Sequence, residues 1–252
     1  MSSHKVKLNA KQIRLLKLIY KFRFVTADLL ARRLSLSRRS INKSLVVLLD
    51  RGYVDRKYDS SYNLLGKPAS YYLAPKAIKL LRDEHGLNRQ SLNARFYDSK
   101  RTDRFIDSSI RIFDIYLQIK DAYPDHFVIL NKPELIDLAE AKDTLFIDNQ
   151  LPSMYIKRIH RTDNKPSEYI IEVLSDNTAY WVHRKLIESY ITQYDEEYTE
   201  ATPYPCVVLV CESKSLSKKL GEFAQSKLDQ ELISAEELTF RVFSADEPLT
   251  LG

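Results

Sequence analysis

The chain has 252 residues, enough for one large domain or two smaller ones, and its length favours two. No apolar run reaches the roughly 18 to 20 residues of a membrane-spanning helix, and the N-terminus lacks a signal-peptide core, so we expect a cytoplasmic protein without membrane association. The net charge of +5 is unevenly distributed: residues 1–100 hold 22 Lys/Arg against 7 Asp/Glu, and residues 101–252 hold 17 against 27. A basic first part is typical of nucleic-acid binding, and the acidic second part indicates another role.

Three helices are predicted in the first 50 residues from the spacing of apolar side chains. The first spans about residues 9–22, a short second helix follows Thr26 as its N-cap, and a third follows Ser37. The third has an apolar seam with helical spacing, formed by Ile41, Leu45, Leu48 and Leu49. Because only residues 35–37 separate the second helix from the third, the pair predicts a helix-turn-helix.

The polar side of the third helix is rich in hydrogen-bond donors. Arg39 and Lys43 point away from the apolar seam, and their neighbours add further donors that reach base edges or phosphates. The residues of this helix predicted to bind DNA are Arg38, Arg39, Ser40, Asn42 and Lys43.

A β-hairpin is predicted after the third helix. Gly52 stands where a helix C-cap needs a positive φ, and the segments YVDRK and ASYYL flank a polar stretch, YDSSYNLLGKP. On this hairpin Arg56, Lys57 and Lys67 are candidates for phosphate contacts, and Tyr58 or Tyr62 for a hydrogen bond or stacking. Pro75 then begins another helix.

This succession of three helices and a hairpin resembles winged-helix DNA-binding domains over roughly residues 8–86. The resemblance implies that the third helix enters the major groove and that the hairpin, the wing, follows the backbone or the minor groove. A winged helix that contacts another protein instead of DNA is the alternative.

The second part of the chain predicts a mixed α/β sheet with helices on its faces. We expect a winged-helix domain over residues 1–88, a linker over 89–100 with little apolar periodicity, and a second domain over 101–252. Its predicted helices lie at about 101–122, 178–197 and 215–232, with a loop or short helix near 133–141. Its predicted strands lie at 127–130, 144–147, 153–159, 168–174, 206–212 and 238–245.

Two cysteines, Cys206 and Cys211, stand five residues apart in one of these apolar strands. An odd spacing places them on opposite faces of the strand, so we expect buried thiols without a local disulfide or shared metal.

The motif region PSMYI…YIIEVLSDNT…RKLIESY, together with the order of elements, resembles the C-terminal half of the plasmid replication-relaxation family. That family pairs a winged helix with a domain similar to the PD-(D/E)XK nuclease fold, which implies an α+β protein of these two parts. In the family pattern a Pro-Asp opens one strand, a Glu ends a later strand, and a Lys and a Tyr follow on a helix. Pro152, Glu172, Lys185 and Tyr190 fit this pattern, whereas Ser153 stands at the Asp position.

The resemblance therefore implies a degenerate nuclease site. Such a nuclease needs two or more carboxylates to hold Mg²⁺, and Ser153 cannot replace one. Leu174 occupies the position two beyond Glu172, where an active enzyme has an acid or a lysine; Asp176 could substitute, and Asp148 is out of register. We expect no catalytic residues, metal or cofactor here, and Glu172 paired with Lys185; the alternative is that these two residues share no site.

We expect an accessory protein that binds duplex DNA in plasmid or mobile-element replication, relaxation or conjugative transfer. The C-terminal domain then serves assembly, as a homodimer or as a platform for a replication or DNA-transfer protein. The alternatives are a sequence-specific transcription regulator and a divergent Mg²⁺-dependent nuclease using Glu172, Lys185 and Asp176.

Overall fold

The first part of the chain is built from helices and a β-hairpin. The computed structural model describes residues 8–87, 89–141, 151–159, 168–197, 204–234 and 237–251, and it divides into two units, Met1–Leu117 and Gln118–Gly252. The first three helices are α1 (Ala10–Phe22), α2 (Ala27–Leu34) and α3 (Arg38–Asp50). Thr26 and Ser37 cap α2 and α3 as predicted, because their side chains accept N–H groups of Leu29 and Ser40.

The helix-turn-helix is confirmed. Ser35 takes the left-handed conformation after α2 (φ 52°), and the N–H of Leu36 donates to the carbonyl of Ala31 at 3.0 Å. This tight turn directs the chain into α3, which buries Ile41, Leu45 and Leu48 completely. The apolar seam predicted from the sequence therefore anchors α3 in the core of the first unit.

The predicted wing is present, with a tip that differs from the prediction. Strands β1 (Val54–Lys57) and β2 (Ser70–Leu73) pair antiparallel, with Val54 opposite Leu73. The polar stretch between them, for which the sequence predicted no helix, forms a short helix, α4 (Ser60–Leu64). Asp59 caps this helix by accepting the N–H groups of Ser61 and Tyr62. The wing ends in a folded tip.

The predicted linker over residues 89–100 is corrected by the structure. After α5 (Pro75–His85), the chain forms α6 (Arg89–Asn93) and a 3₁₀ helix (Ala94–Lys100). Leu92 is fully buried, the buried guanidinium of Arg95 donates to the carbonyl of Tyr20, and buried Asp98 forms an ion pair with Arg23. The segment lacks apolar periodicity because polar side chains attach much of it to the first unit.

Helix α7 (Asp103–Ala122) continues the first unit beyond the predicted boundary at residue 88. Its Phe113 ring stacks on Phe22 with ring centroids 4.0 Å apart, and Ile106 is fully buried next to Phe24. The unit therefore extends to Leu117 and carries 25 Lys/Arg against 10 Asp/Glu, a net charge of +15.

The second unit contains the predicted mixed sheet. Its strands are β3 (Phe127–Asn131), β4 (Met154–Arg158), β5 (Glu168–Leu174), β6 (Cys206–Cys211) and β7 (Phe240–Ser244). They lie side by side in that order, antiparallel from β3 to β5 and parallel from β5 to β7. Its other helices are α8 (Lys132–Ala141), α9 (Tyr180–Glu197) and α10 (Lys214–Gln230). The predicted strand at 144–147 lies outside the described residues.

All six residues of β6 are buried, as expected for a parallel strand covered on both faces. Its two cysteines are free thiols, and burial raises the pKa of Cys206 to about 11 and that of Cys211 to about 12. The predicted buried thiols are confirmed. Within the described ranges, no helix has both the length and the apolar character needed to cross a bilayer.

Candidate nucleic-acid interface

The outward side of α3 presents polar and basic side chains to solvent. With Ile41 and Leu45 fully buried on one side, Arg39, Asn42 and Lys43 are exposed on the other. An open, shallow groove follows this side, lined by Arg38, Arg39, Asn42, Lys43, Val46 and Val47. Four of the five side chains predicted as DNA contacts on this helix thus lie along one groove.

Arg38 and Ser40 have intramolecular partners that the sequence did not predict. The Nε atom of Arg38 lies 3.1 Å from Oδ1 of Asp28 in α2. The ammonium of Lys11 in α1 donates to both the hydroxyl (2.7 Å) and the carbonyl (3.0 Å) of half-buried Ser40. Ser40 therefore helps to hold α3 against α1, and Arg39, Asn42 and Lys43 are the more accessible donors.

The electrostatics of α3 favour an anion at its N-terminal end. Arg38, Arg39 and Lys43 lie in the first two turns, and the only acidic residue of the helix is Asp50 at its last position. The partial positive charge of a helix N-terminus adds to that of the side chains. A polyanion is therefore attracted to the groove.

The wing adds three cations that differ in exposure and in intramolecular pairing. The guanidinium of Arg56 is exposed and lies 5.7 Å from the ring centroid of Tyr58, and Lys57 is half-buried. The Nζ atom of Lys67, in contrast, lies 2.8 Å from Oδ2 of Asp107 in α7. Of the three predicted phosphate contacts, Arg56 is the most accessible, and Lys67 shares its charge with a carboxylate.

The prediction that Tyr62 contacts DNA is corrected. Helix α4 turns this side chain inward, where it is only 4% exposed, and its hydroxyl lies 3.4 Å from Oδ1 of Asp103. The N–H of Lys67 donates to the carbonyl of Tyr62 at 2.8 Å, and burial raises the pKa of the phenol. Tyr62 fastens the wing tip to the rest of the first unit.

Sequence reasoning missed two leucines at the tip of the wing. Leu64 is 87% exposed and Leu65 68% exposed, at the end of α4 and immediately before Gly66. Gly66 has a positive φ of 63°, which turns the chain back into β2. The sequence signal that could have identified this exposed apolar tip is the pair of leucines before a glycine in an otherwise polar stretch.

In the second unit, three positions of the nuclease pattern, Ser153, Glu172 and Tyr190, form a closed hydrogen-bonded cluster. The Oε2 atom of Glu172 accepts from the N–H of Ser153 at 3.2 Å and from its hydroxyl at 3.0 Å. The hydroxyl of Tyr190 donates to Oε1 at 2.7 Å. Glu172 is only 8% exposed, and burial raises the pKa of its carboxyl despite these bonds and the positive charge of Lys132.

The predicted pairing of Glu172 with Lys185 is not formed. Lys185 is exposed, and its ammonium lies 5.3 Å from the ring centroid of Trp181 on the same helix. Asp176, a candidate substitute ligand, instead accepts a hydrogen bond from the hydroxyl of Ser213 at 2.9 Å. Asp148 lies outside the described residues. In the part of the chain that the structure describes, His, Cys, Asp and Glu form no group of three suited to a metal ion.

Comparisons with known proteins add little to this geometry. No protein-family model matches the chain, and no curated protein does. Among solved structures, a point mutant of Lactococcus lactis ZitR shares 17% identity over 48% of this chain and 79% of its own, with a TM-score of 0.28. T. acidophilum IdeR shares 15% identity over 58% of this chain and 69% of its own, with a TM-score of 0.23. Likeness this low assigns no function.

Proposed function

We propose that this chain is a sequence-specific duplex-DNA-binding protein that places α3 in the major groove. The observation that carries the proposal is the asymmetry of α3: Ile41, Leu45 and Leu48 on its apolar side are fully buried, and its other side exposes Arg39, Asn42 and Lys43 in a unit of net charge +15. An α-helix fits the major groove, where arginine recognises guanine and asparagine recognises adenine by paired hydrogen bonds. Arg39 and Asn42 then read bases, and Lys43 neutralises phosphate.

The wing supplies the second contact in this arrangement. Arg56 and Lys57 neutralise phosphates beside the recognition helix, and their contribution depends on salt. Leu64 and Leu65 extend from a tip that Asp59 caps and Tyr62 fastens, so little flexibility is lost when they are buried. Exposed leucines on such a tip suit the minor groove, where apolar side chains widen or kink base steps.

The second unit serves assembly in this proposal and does not cleave DNA. Ser153 replaces a metal-binding carboxylate, and both oxygens of Glu172 are occupied by intramolecular donors. The chain order α7, β3, α8, β4, β5, α9 and β6, with β3 to β5 antiparallel and β6 parallel to β5, supports a non-catalytic relative of the PD-(D/E)XK core in which α8 is inserted between the first two strands. The replication-relaxation resemblance of the motif region supports a role at a plasmid origin or a transfer origin.

The test is to incubate the protein with fragmented plasmid and chromosomal DNA at about 0.15 M salt with Mg²⁺, recover the bound fragments and sequence them. A variant combining Arg39→Ala and Lys43→Ala is the matched control. Enrichment of intact origin or transfer-origin fragments by the wild type alone supports the proposal. Promoter fragments would identify a transcription regulator, fragments with new ends would identify a nuclease, and no enrichment would identify a winged helix that contacts protein.

A further inference from the structure

The second unit exposes the only tryptophan of the chain. Trp181 lies in the first turn of α9 and is 60% exposed. Tyr180 beside it is also exposed, and the ammonium of Lys185 lies one turn further along, 5.3 Å from the indole centroid. A large, solvent-exposed aromatic ring with a lysine against it can stack on a planar ligand that carries negative charge.

Helices α9 and α10 bring their N-terminal halves together. The hydroxyl of Tyr180 donates to the carbonyl of Lys219 at 3.2 Å, and the guanidinium of Arg184 lies 4.5 Å from the ring centroid of Phe223. Successive contacts therefore advance by four residues on both helices, which means that the helices run parallel. Side chains from the first halves of both helices border one surface.

Charge is separated along this pair of helices. Residues 180–187 and 214–221 hold five Lys/Arg and no Asp/Glu, whereas residues 188–197 and 222–230 hold one Lys and six Asp/Glu. The basic residues are Arg184, Lys185, Lys214, Lys218 and Lys219. The helix macrodipole favours the opposite arrangement, with anions at the N-terminus, so helix stability does not account for it.

The basic character of this end is only partly offset by its acidic neighbours. The carboxylates of Asp176 and Glu212, in the loops before α9 and α10, offset two of the five positive charges, and each accepts a serine hydroxyl, from Ser213 and Ser175 respectively. Arg184 and Lys218 approach Glu188 and Glu222 only at 4.0 Å, in exposed pairs of the kind that contribute little. A basic surplus remains in a unit that holds 14 Lys/Arg against 24 Asp/Glu.

We propose that this end of the α9–α10 pair binds single-stranded nucleic acid. The site, named here the Trp181 surface, consists of Tyr180, Trp181, Arg184, Lys185, Lys218 and Lys219. Trp181 stacks on a base, and the cations neutralise the flanking phosphates. A single strand is required because base faces are hidden inside a duplex. The inference does not depend on duplex binding by α3, which lies in the other unit.

Trp181 is its own reporter in the test, because it is the sole tryptophan and stacking of a base quenches indole fluorescence. The full-length chain is titrated with an oligothymidylate of about 12 nucleotides at low and at moderate salt. We expect saturable quenching whose midpoint rises with salt. Combining Lys185→Gln with Lys219→Gln should weaken binding several-fold, whereas the charge-matched control Lys132→Gln with Lys157→Gln should leave it unchanged.

Three outcomes would overturn the inference. The first is the absence of quenching, and the second is equal quenching by an inorganic polyphosphate, which has no bases. The third is equal binding of a labelled oligothymidylate, measured by anisotropy, to the wild type and to Trp181→Leu. Because Trp181→Phe retains an aromatic ring, it should bind more tightly than Trp181→Leu. Failure here leaves duplex binding intact, since neither Arg39 nor Lys43 contributes to the tryptophan signal.

Discussion

The hydroxyl of Tyr190 donates to Oε1 of Glu172 at 2.7 Å, on the oxygen that Ser153 does not reach. Tyr190→Phe removes this donor and leaves a buried carboxylate oxygen unsatisfied. We expect the free energy of unfolding to fall by about 1–3 kcal/mol, measured by urea denaturation. Tyr180→Phe on the same helix is the control, because its hydroxyl bond lies at the surface and its loss should have little effect. Equal losses in both variants would contradict a structural role for the Glu172 cluster.

Burial of Glu172 predicts a dependence of stability on pH. Its pKa is raised above the ordinary value of 4.5, so the folded state holds the proton more tightly than the unfolded state. The stabilisation that this proton confers is complete below the ordinary pKa and is lost as pH rises through the folded pKa. Wild type should therefore lose stability relative to Glu172→Gln as pH rises from about 4. Exposed Glu231→Gln should show no such trend against wild type in the same urea titrations.

The buried polar segment after α5 predicts where the first unit can be cut. A fragment of residues 1–117 should unfold cooperatively when heated and followed by circular dichroism. A fragment of residues 1–88 loses the buried side chains of Leu92, Arg95 and Asp98, and it should melt at a lower temperature or not fold. Equal melting of the two fragments would mean that residues 89–100 are a linker after all.

Substitutions at neighbouring positions of the wing tip should affect duplex binding differently. Leu64→Ser combined with Leu65→Ser should weaken binding several-fold, because two exposed apolar contacts are removed without disturbing the core. Tyr62→Phe removes only the hydroxyl near Asp103 and should leave affinity unchanged, with a small loss of stability. Affinity is measured by fluorescence anisotropy of a labelled duplex, and stability by thermal unfolding. A larger affinity loss in Tyr62→Phe than in the leucine variant would restore Tyr62 as a DNA contact.

Replacing Arg39 should reduce DNA affinity by an amount that depends on the DNA sequence. Arg39→Ala should weaken binding to an enriched duplex by about 1–3 kcal/mol and should affect random duplex much less. Lys79→Ala, an exposed cation on α5, is the matched control in the same anisotropy titrations. If Arg39→Ala lowers affinity equally for all duplexes and reduces the salt slope by about one unit, Arg39 contacts phosphate and not a base.

Local patterns in the sequence were sufficient to predict most helices and strands. The seam of Ile41, Leu45, Leu48 and Leu49 predicted α3 and its orientation, since helical periodicity and burial coincide there; the first three are fully buried and Leu49 is half-buried. Capping by Ser37 and the apolar run of β6 likewise depend on neighbours in the chain. For the same reason, the exposed side of α3 could be predicted as a candidate interface before any contact was known.

Contacts between distant residues were decided by the tertiary structure alone. Tyr62 faces Asp103, Arg95 donates to Tyr20, and Glu172 is enclosed by Ser153 and Tyr190. In each case a buried polar side chain is satisfied by a hydrogen bond to a partner that lies 18 to 75 residues away in the sequence. Local periodicity cannot mark such a pair. The sequence by itself therefore determined where most helices and strands form, whereas packing formed the short helices of the wing tip and of residues 89–100 and decided which polar groups remain available to bind.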